Sequence, residues 1–152
     1  MRDATARNIP VAMGAYSLVS VDGTSVVTSA LGPVDSASPS GFSHAGRLGE
    51  SVDAAAGREA AANAARALLA ALEQHVGSLD AIARVISLRG YLATTADFVD
   101  HALVMDGASD VIVDALGARG HHARASIGVA SLPFGLPVVV ELTARLVNGA
   151  GE

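Results

Sequence analysis

The chain has 152 residues, 51% hydrophobic and 16% charged, a balance that excludes a disordered chain and suits one globular domain over residues 1–152. Its formal net charge is −5, with no Lys/Arg cluster to offset it, which argues against a phosphate-tracking surface and so against nucleic acid as a partner. Cysteine is absent, which removes disulfides, thiolate metal sites and a cysteine nucleophile; no metal and no cofactor are expected.

Aromatic residues make up 3% of the chain and Trp is absent, so Ala, Val, Leu and Ile must build the core. Such a core gains burial by oligomerising, and a large apolar contact between copies is expected. Met1 to Met13 lacks the apolar run of a secretory signal. No stretch approaches the ~18 uninterrupted apolar residues of a membrane span. The expectation is a soluble cytoplasmic protein, with residues 1–9 and 148–152 as flexible ends.

Tyr16–Val21 and Ser25–Ser29 read as two short strands, with Asp22-Gly23 as the turn signal between them. Gly32 to Gly49, rich in Ser, Pro and Gly, reads as a loop with an irregular edge strand near Phe42. Val52–Val76 is Ala-rich, and Ala61, Ala64, Ala65, Leu68, Leu69 and Leu72 form a helical stripe that stops at Gly77. Ile82–Ala93 reads as a strand. Thr94 with Asp97 resembles a capping pair, predicting a second helix over Ala96–Leu116 with Gly107 as a weak point inside it. A strand opened by Arg124, a loop from Leu132 to Pro137 and a last strand over Val138–Val147 complete the chain. The order is β-β-α-β-α-β-β, an α+β layer with both helices on one face of a mixed sheet. The other face is expected to be rich in Val and Ile and to need cover from further copies.

The run Gly120-His121-His122-Ala123-Arg124 carries the chemistry. An arginine opening an apolar strand needs an anionic partner, which makes Arg124 a candidate carboxylate anchor. The bland alternative is an ion pair with Glu141 or Asp106. Glu141 follows three valines on the last strand and must find a partner, with Arg124 or Arg145 the candidates, or serve as acid or base. His121 and His122 point to opposite faces of an extended chain, so joint metal ligation is not expected. His122 is placed beside Arg124 and could shuttle protons, whereas His121 faces solvent. Backbone groups near Ala130–Leu132 could add polar contacts.

The chain resembles the YjgF/RidA superfamily of reactive-intermediate (imine/enamine) deaminases. The stretches that carry the resemblance are Gly14-Ala15-Tyr16, Thr28-Ser29, Gly77-Ser78-Leu79-Asp80, Phe98, Asp106-Gly107-Ala108-Ser109-Asp110, and His122-Ala123-Arg124 through Leu132-Pro133. They span about Pro10 to Val147 in order and match best a branch with a Gly-Ala-Ser-Asp helix and a His-Ala-Arg strand start. The resemblance implies a chorismate-mutase-like subunit and a homotrimer with three clefts between subunits. It also implies small carboxylate substrates whose acid group is held by Arg124. Water then attacks the imine carbon, giving a 2-keto acid and ammonia. Tyr16, Ser29, Leu31, Asp106 and Val139 fall at cleft positions.

The chain departs from the family pattern at three of these places. Ala30-Leu31 replaces Gly-Gln, and Asp106 replaces an Asn. Val139 stands where the family has the glutamate that handles the attacking water, and valine can neither accept a proton nor orient water. Glu141 shares that strand face ~6.6 Å further on. Arg124, Glu141 and His122 are therefore the candidate catalytic residues, and Tyr16, Ser29, Leu31, Asp106 and Val139 join Arg124 as candidate binding residues. The reading is an enzyme acting on a small carboxylate-bearing imine or enamine. It either hydrolyses this weakly or performs a repurposed biosynthetic step such as cyclisation or tautomerisation. The alternative is a non-catalytic carboxylate binder or chaperone using the same cleft.

Overall fold

The computed structural model describes residues 10–148. The expected flexibility of 1–9 and 148–152 concerns, apart from Asn148, residues outside that range. Five strands and two long helices follow in chain order: β1 (Val19–Asp22), β2 (Ser25–Thr28), α1 (Ala54–Val76), β3 (Ile82–Ala93), α2 (His101–Leu116), β4 (Ala123–Val129) and β5 (Val138–Leu146). The sheet order is β1-β2-β5-β3-β4, antiparallel throughout except for the β3–β4 pair. This is the expected β-β-α-β-α-β-β layer on a mixed sheet.

Local chemistry accounts for the boundaries. The β1–β2 loop is Gly23-Thr24, and Gly23 supplies the positive φ of 60° that a two-residue hairpin needs. Asp53 caps α1 by accepting a hydrogen bond from the Ala56 amide at 2.8 Å. Gly77 ends the helix at φ 89°, its amide bonding Glu73 O. The second helix starts later than expected, at His101. Thr94 and Thr95 remain in register with the sheet and the preceding loop, through bonds to Val129 O and Leu48 O, so they cannot begin a helix. Asp100 precedes the first turn without a side-chain capping bond.

Leu68, Leu72, Leu88, Met105, Ile112 and Val138 are fully buried between the helices and the sheet. Alanine lines most of the buried face of α1, which lets that helix sit close to both α2 and the sheet. On β5 the pleat sends Val138, Val140, Leu142, Ala144 and Leu146 inward. Val139, Glu141, Thr143 and Arg145 go to the opposite face. That face is more polar than expected: Arg89 and Tyr91 of β3 stand beside Glu141, and Val27 and Ile127 are among its exposed apolar residues. Near Phe42 the loop makes an isolated bridge to Val34 rather than a strand.

Candidate functional site

Arg124 pairs with Leu88 across the parallel β3–β4 ladder, and Leu88 is fully buried beneath the helices. Arg124 therefore projects to the helix side of the sheet, at the edge strand and over α2. Its Nη1 donates to Asp106 Oδ1 at 2.8 Å and to Ser109 Oγ at 3.1 Å. Nη2 donates to Ala102 O at 3.4 Å. Among the described residues, Nε and the second Nη2 hydrogen have no protein acceptor. A guanidinium has five N–H donors, so two remain for a ligand. The partner among the candidates is Asp106, not Glu141.

Ser109 and His122 continue this cluster. His122 Nδ1 lies 2.6 Å from Gly120 O, and His122 Nε2 lies 3.0 Å from Ser109 Oγ. Both side chains are half-buried. Arg124, Asp106 and His122 are candidates from the sequence alone, whereas Ser109 enters there only within the Asp106-Gly107-Ala108-Ser109-Asp110 stretch. Its signal was its place three residues after Asp106, one helical turn along the same face.

A second, apolar group of residues lies elsewhere on the chain. Tyr16, Leu31, Phe42, Phe134, Leu136 and Val139 line a cavity of about 180 Å³. The Phe42 and Phe134 rings meet in a tilted contact with centroids 5.6 Å apart. Phe134 holds φ at 59°, an unusual conformation for a residue with a side chain, directly before Gly135. Tyr16, Leu31 and Val139 thus line one cavity, together with the two phenylalanines. Val139 pairs with Tyr91 across β3–β5, on the opposite sheet face from Leu88 and Arg124. The polar cluster and the apolar cavity consequently face different ways.

The other candidates have partners elsewhere on the chain. Ser29 Oγ donates to Ser17 O at 2.8 Å and ties the N-terminal segment to β2. Glu141 accepts from the Tyr91 hydroxyl at 2.9 Å and lies 3.9 Å from Arg89, so its partners are neither Arg124 nor Arg145. The Glu141 hydrogen bond, with burial and the carboxylate's charge, raises the Tyr91 pKa, and Arg89 partly offsets this. Ala130 O is taken by Arg47 Nη2 at 2.7 Å. His121 is exposed, as expected. Among the described residues no group of His, Asp and Glu is placed to hold a metal ion, and no helix is long and apolar enough to cross a membrane.

Residues 4–146 match the model of the family described as "YjgF/chorismate_mutase-like, putative endoribonuclease", and the chain belongs to that family. It is similar to Protein TCP17 of Trypanosoma cruzi, 36% identical over 104 residues, which make up 68% of this chain. The match spans 65% of TCP17. Among solved structures it is similar to Atu1372 of Agrobacterium tumefaciens, a protein of unknown function, at 34% identity and TM-score 0.84, covering 91% of this chain and 86% of the other. It is also similar to a putative endoribonuclease from Shewanella oneidensis MR-1, at 28% identity and TM-score 0.85, covering 91% and 89%.

Proposed function

We propose that the protein is a cytoplasmic enzyme of the imine/enamine type, acting on a small carboxylate-bearing molecule in a cleft between copies of the chain. The observation that carries this reading is the split site. Two Arg124 donors have no acceptor among the described residues and lie on one sheet face, and Val139 of the apolar cavity lies on the other. One ligand can meet both only if they come from different subunits, and the homotrimer implied by the family resemblance supplies that arrangement. Arg124 grips the carboxylate with its remaining fork, a charge-assisted contact of ~1.5–3 kcal/mol. The neighbouring subunit's apolar wall receives the side chain and keeps water scarce. With Val139 in place of the family glutamate, hydrolysis of simple imines is slow, and a tautomerisation or cyclisation is the alternative outcome in the same cleft. The acidic balance of −5 speaks against the ribonuclease activity in the family's description.

A second reading, a non-catalytic carboxylate binder, draws on the Asp106 carboxylate, which already neutralises Arg124 and weakens its pull on an anionic substrate. Two measurements test the proposal. Sedimentation velocity should give a trimer. Ammonia release from freshly generated 2-iminobutyrate should be measurable and fall to background in Arg124→Ala. A monomer, or equal turnover in that variant, contradicts it. Binding of 2-oxobutyrate without turnover of any imine favours the second reading.

A further inference from the structure

Val139 stands where the family resemblance puts the water-handling glutamate, and a hydrogen-bond chain lies beside Arg124. We propose that Ser109 and His122 form the proton relay of this cleft, with the Ser109 hydroxyl as the catalytic group next to the ligand and the His122 imidazole as its base. This rests on the reading that Arg124 holds the ligand's carboxylate.

For a neutral imidazole, donor and acceptor chemistry sets the direction of the chain. Gly120 O can only accept, so the 2.6 Å contact puts a hydrogen on His122 Nδ1. Nε2 of the neutral ring is then an acceptor, and at 3.0 Å it takes the Ser109 hydroxyl hydrogen. Arg124 Nη1 can only donate, so it fills a lone pair of Ser109 Oγ at 3.1 Å and leaves that hydrogen free for the imidazole. Every member has one role: the carbonyl orients the ring, the ring accepts from the hydroxyl, and the guanidinium stabilises negative charge developing on the oxygen. The arrangement is a hydroxyl, a base and an orienting group within hydrogen-bond reach of one another. It adjoins the cation that would hold the substrate.

For a protonated imine the steps balance as follows. Water forms a C–O bond to the imine carbon, and the C=N π pair moves to nitrogen. One water proton passes to Ser109 Oγ as the Ser109 proton passes to His122 Nε2. The imidazolium returns its proton through Ser109 to the amine nitrogen. The C–N bond then breaks, the carbonyl forms, and the remaining hydroxyl proton leaves through the relay to the released ammonia. The sum is iminium plus water giving ketone plus ammonium, with no oxidant or further reactant.

The test is steady-state turnover of freshly generated 2-iminobutyrate by the intact oligomer, alongside 2-oxobutyrate binding. Ser109→Ala and His122→Gln are each expected to lower kcat by about 100-fold, the low end of general acid–base contributions. KM should stay within about threefold, because Arg124 remains. The double variant should be no slower than either single one, as befits one unit. Ser109→Thr, which keeps the hydroxyl, should recover at least a tenth of the wild-type kcat. A kcat retained in Ser109→Ala, or a loss confined to KM, overturns the relay. So does a wild type that turns over no imine while binding 2-oxobutyrate through Arg124, an outcome that leaves the cleft reading standing. Unchanged 2-oxobutyrate binding in Arg124→Ala overturns the cleft reading and the relay with it.

Discussion

The Tyr91 hydroxyl donates to Glu141 Oε1 at 2.9 Å, diagonally across the β3–β5 pair, where Arg89 is the residue directly opposite Glu141. The carboxylate therefore prefers a protonated tyrosine beside it, and ionisation of Tyr91 is displaced above the ordinary value of 10. A group held by its partner in the protonated form contributes stability below its unfolded-state pKa, and that contribution is lost as pH rises through the folded-state value. Stability is thus expected to decline above about pH 10, and Tyr91→Phe should remove this part of the decline. In a Tyr16→Phe background only Tyr91 contributes tyrosinate absorbance, and its midpoint should lie above that of Tyr91 in the urea-unfolded chain. A midpoint at or below the unfolded value contradicts the assignment.

Val139→Glu separates stability from chemistry. Val139 is 8% exposed against Leu31 and Phe134. A carboxylate there loses solvation, and the variant is expected to be about 1–3 kcal/mol less stable by urea unfolding. Under the proposed function it also puts a water-handling group at the position the family resemblance implies, so hydrolysis of 2-iminobutyrate should rise at least tenfold. A stable variant with no gain in rate would show that the cavity does not meet the reacting carbon.

Asp106→Asn removes a carboxylate that competes with the ligand for Arg124. The pair is partly solvated, with side chains 24% and 47% exposed, so its loss should cost no more than ~1 kcal/mol of stability. The same energy returned to the guanidinium corresponds to ~5-fold tighter binding of 2-oxobutyrate by calorimetry. Weaker binding in Asp106→Asn would mean that Asp106 itself contacts the ligand.

Gly107 reverses its sequence reading. By helix propensity, Gly107→Ala in α2 would gain ~1 kcal/mol. In the fold a Cβ at this position would overlap the Arg58 backbone carbonyl of α1, which cannot swing away as a side chain could. Overpacking of this kind costs ~1–3 kcal/mol, so the clash wins and thermal melting should show a lower Tm. A raised Tm would mean that the two helices are free to separate.

What the sequence revealed depended on the range of the interactions involved. The Ala-rich stripe, Gly77 and the alternation of Ile82–Ala93 are local signals, and the elements stand where those signals put them. The start of α2 was misplaced because Thr94 and Thr95 are held by Val129 and Leu48, partners that no local pattern names. Similarly, Arg124 and Asp106 could be identified from motif position, but their pairing across α2 and β4 is tertiary. Ser109 looked like an ordinary polar residue of a helix until the fold brought it between Arg124 and His122. The choice of Arg89 and Tyr91 as partners of Glu141 is set by strand register, which the chain order alone does not fix.

The most direct measurement is a crystal structure of the protein grown with 2-oxobutyrate. The carboxylate should lie within hydrogen-bond distance of the Arg124 Nε and Nη2 atoms, close to Ser109, with its alkyl end against Tyr16, Leu31 and Val139 of a second copy. A guanidinium still held only by Asp106, Ser109 and Ala102, with no second copy covering it and the ligand elsewhere, would contradict the account.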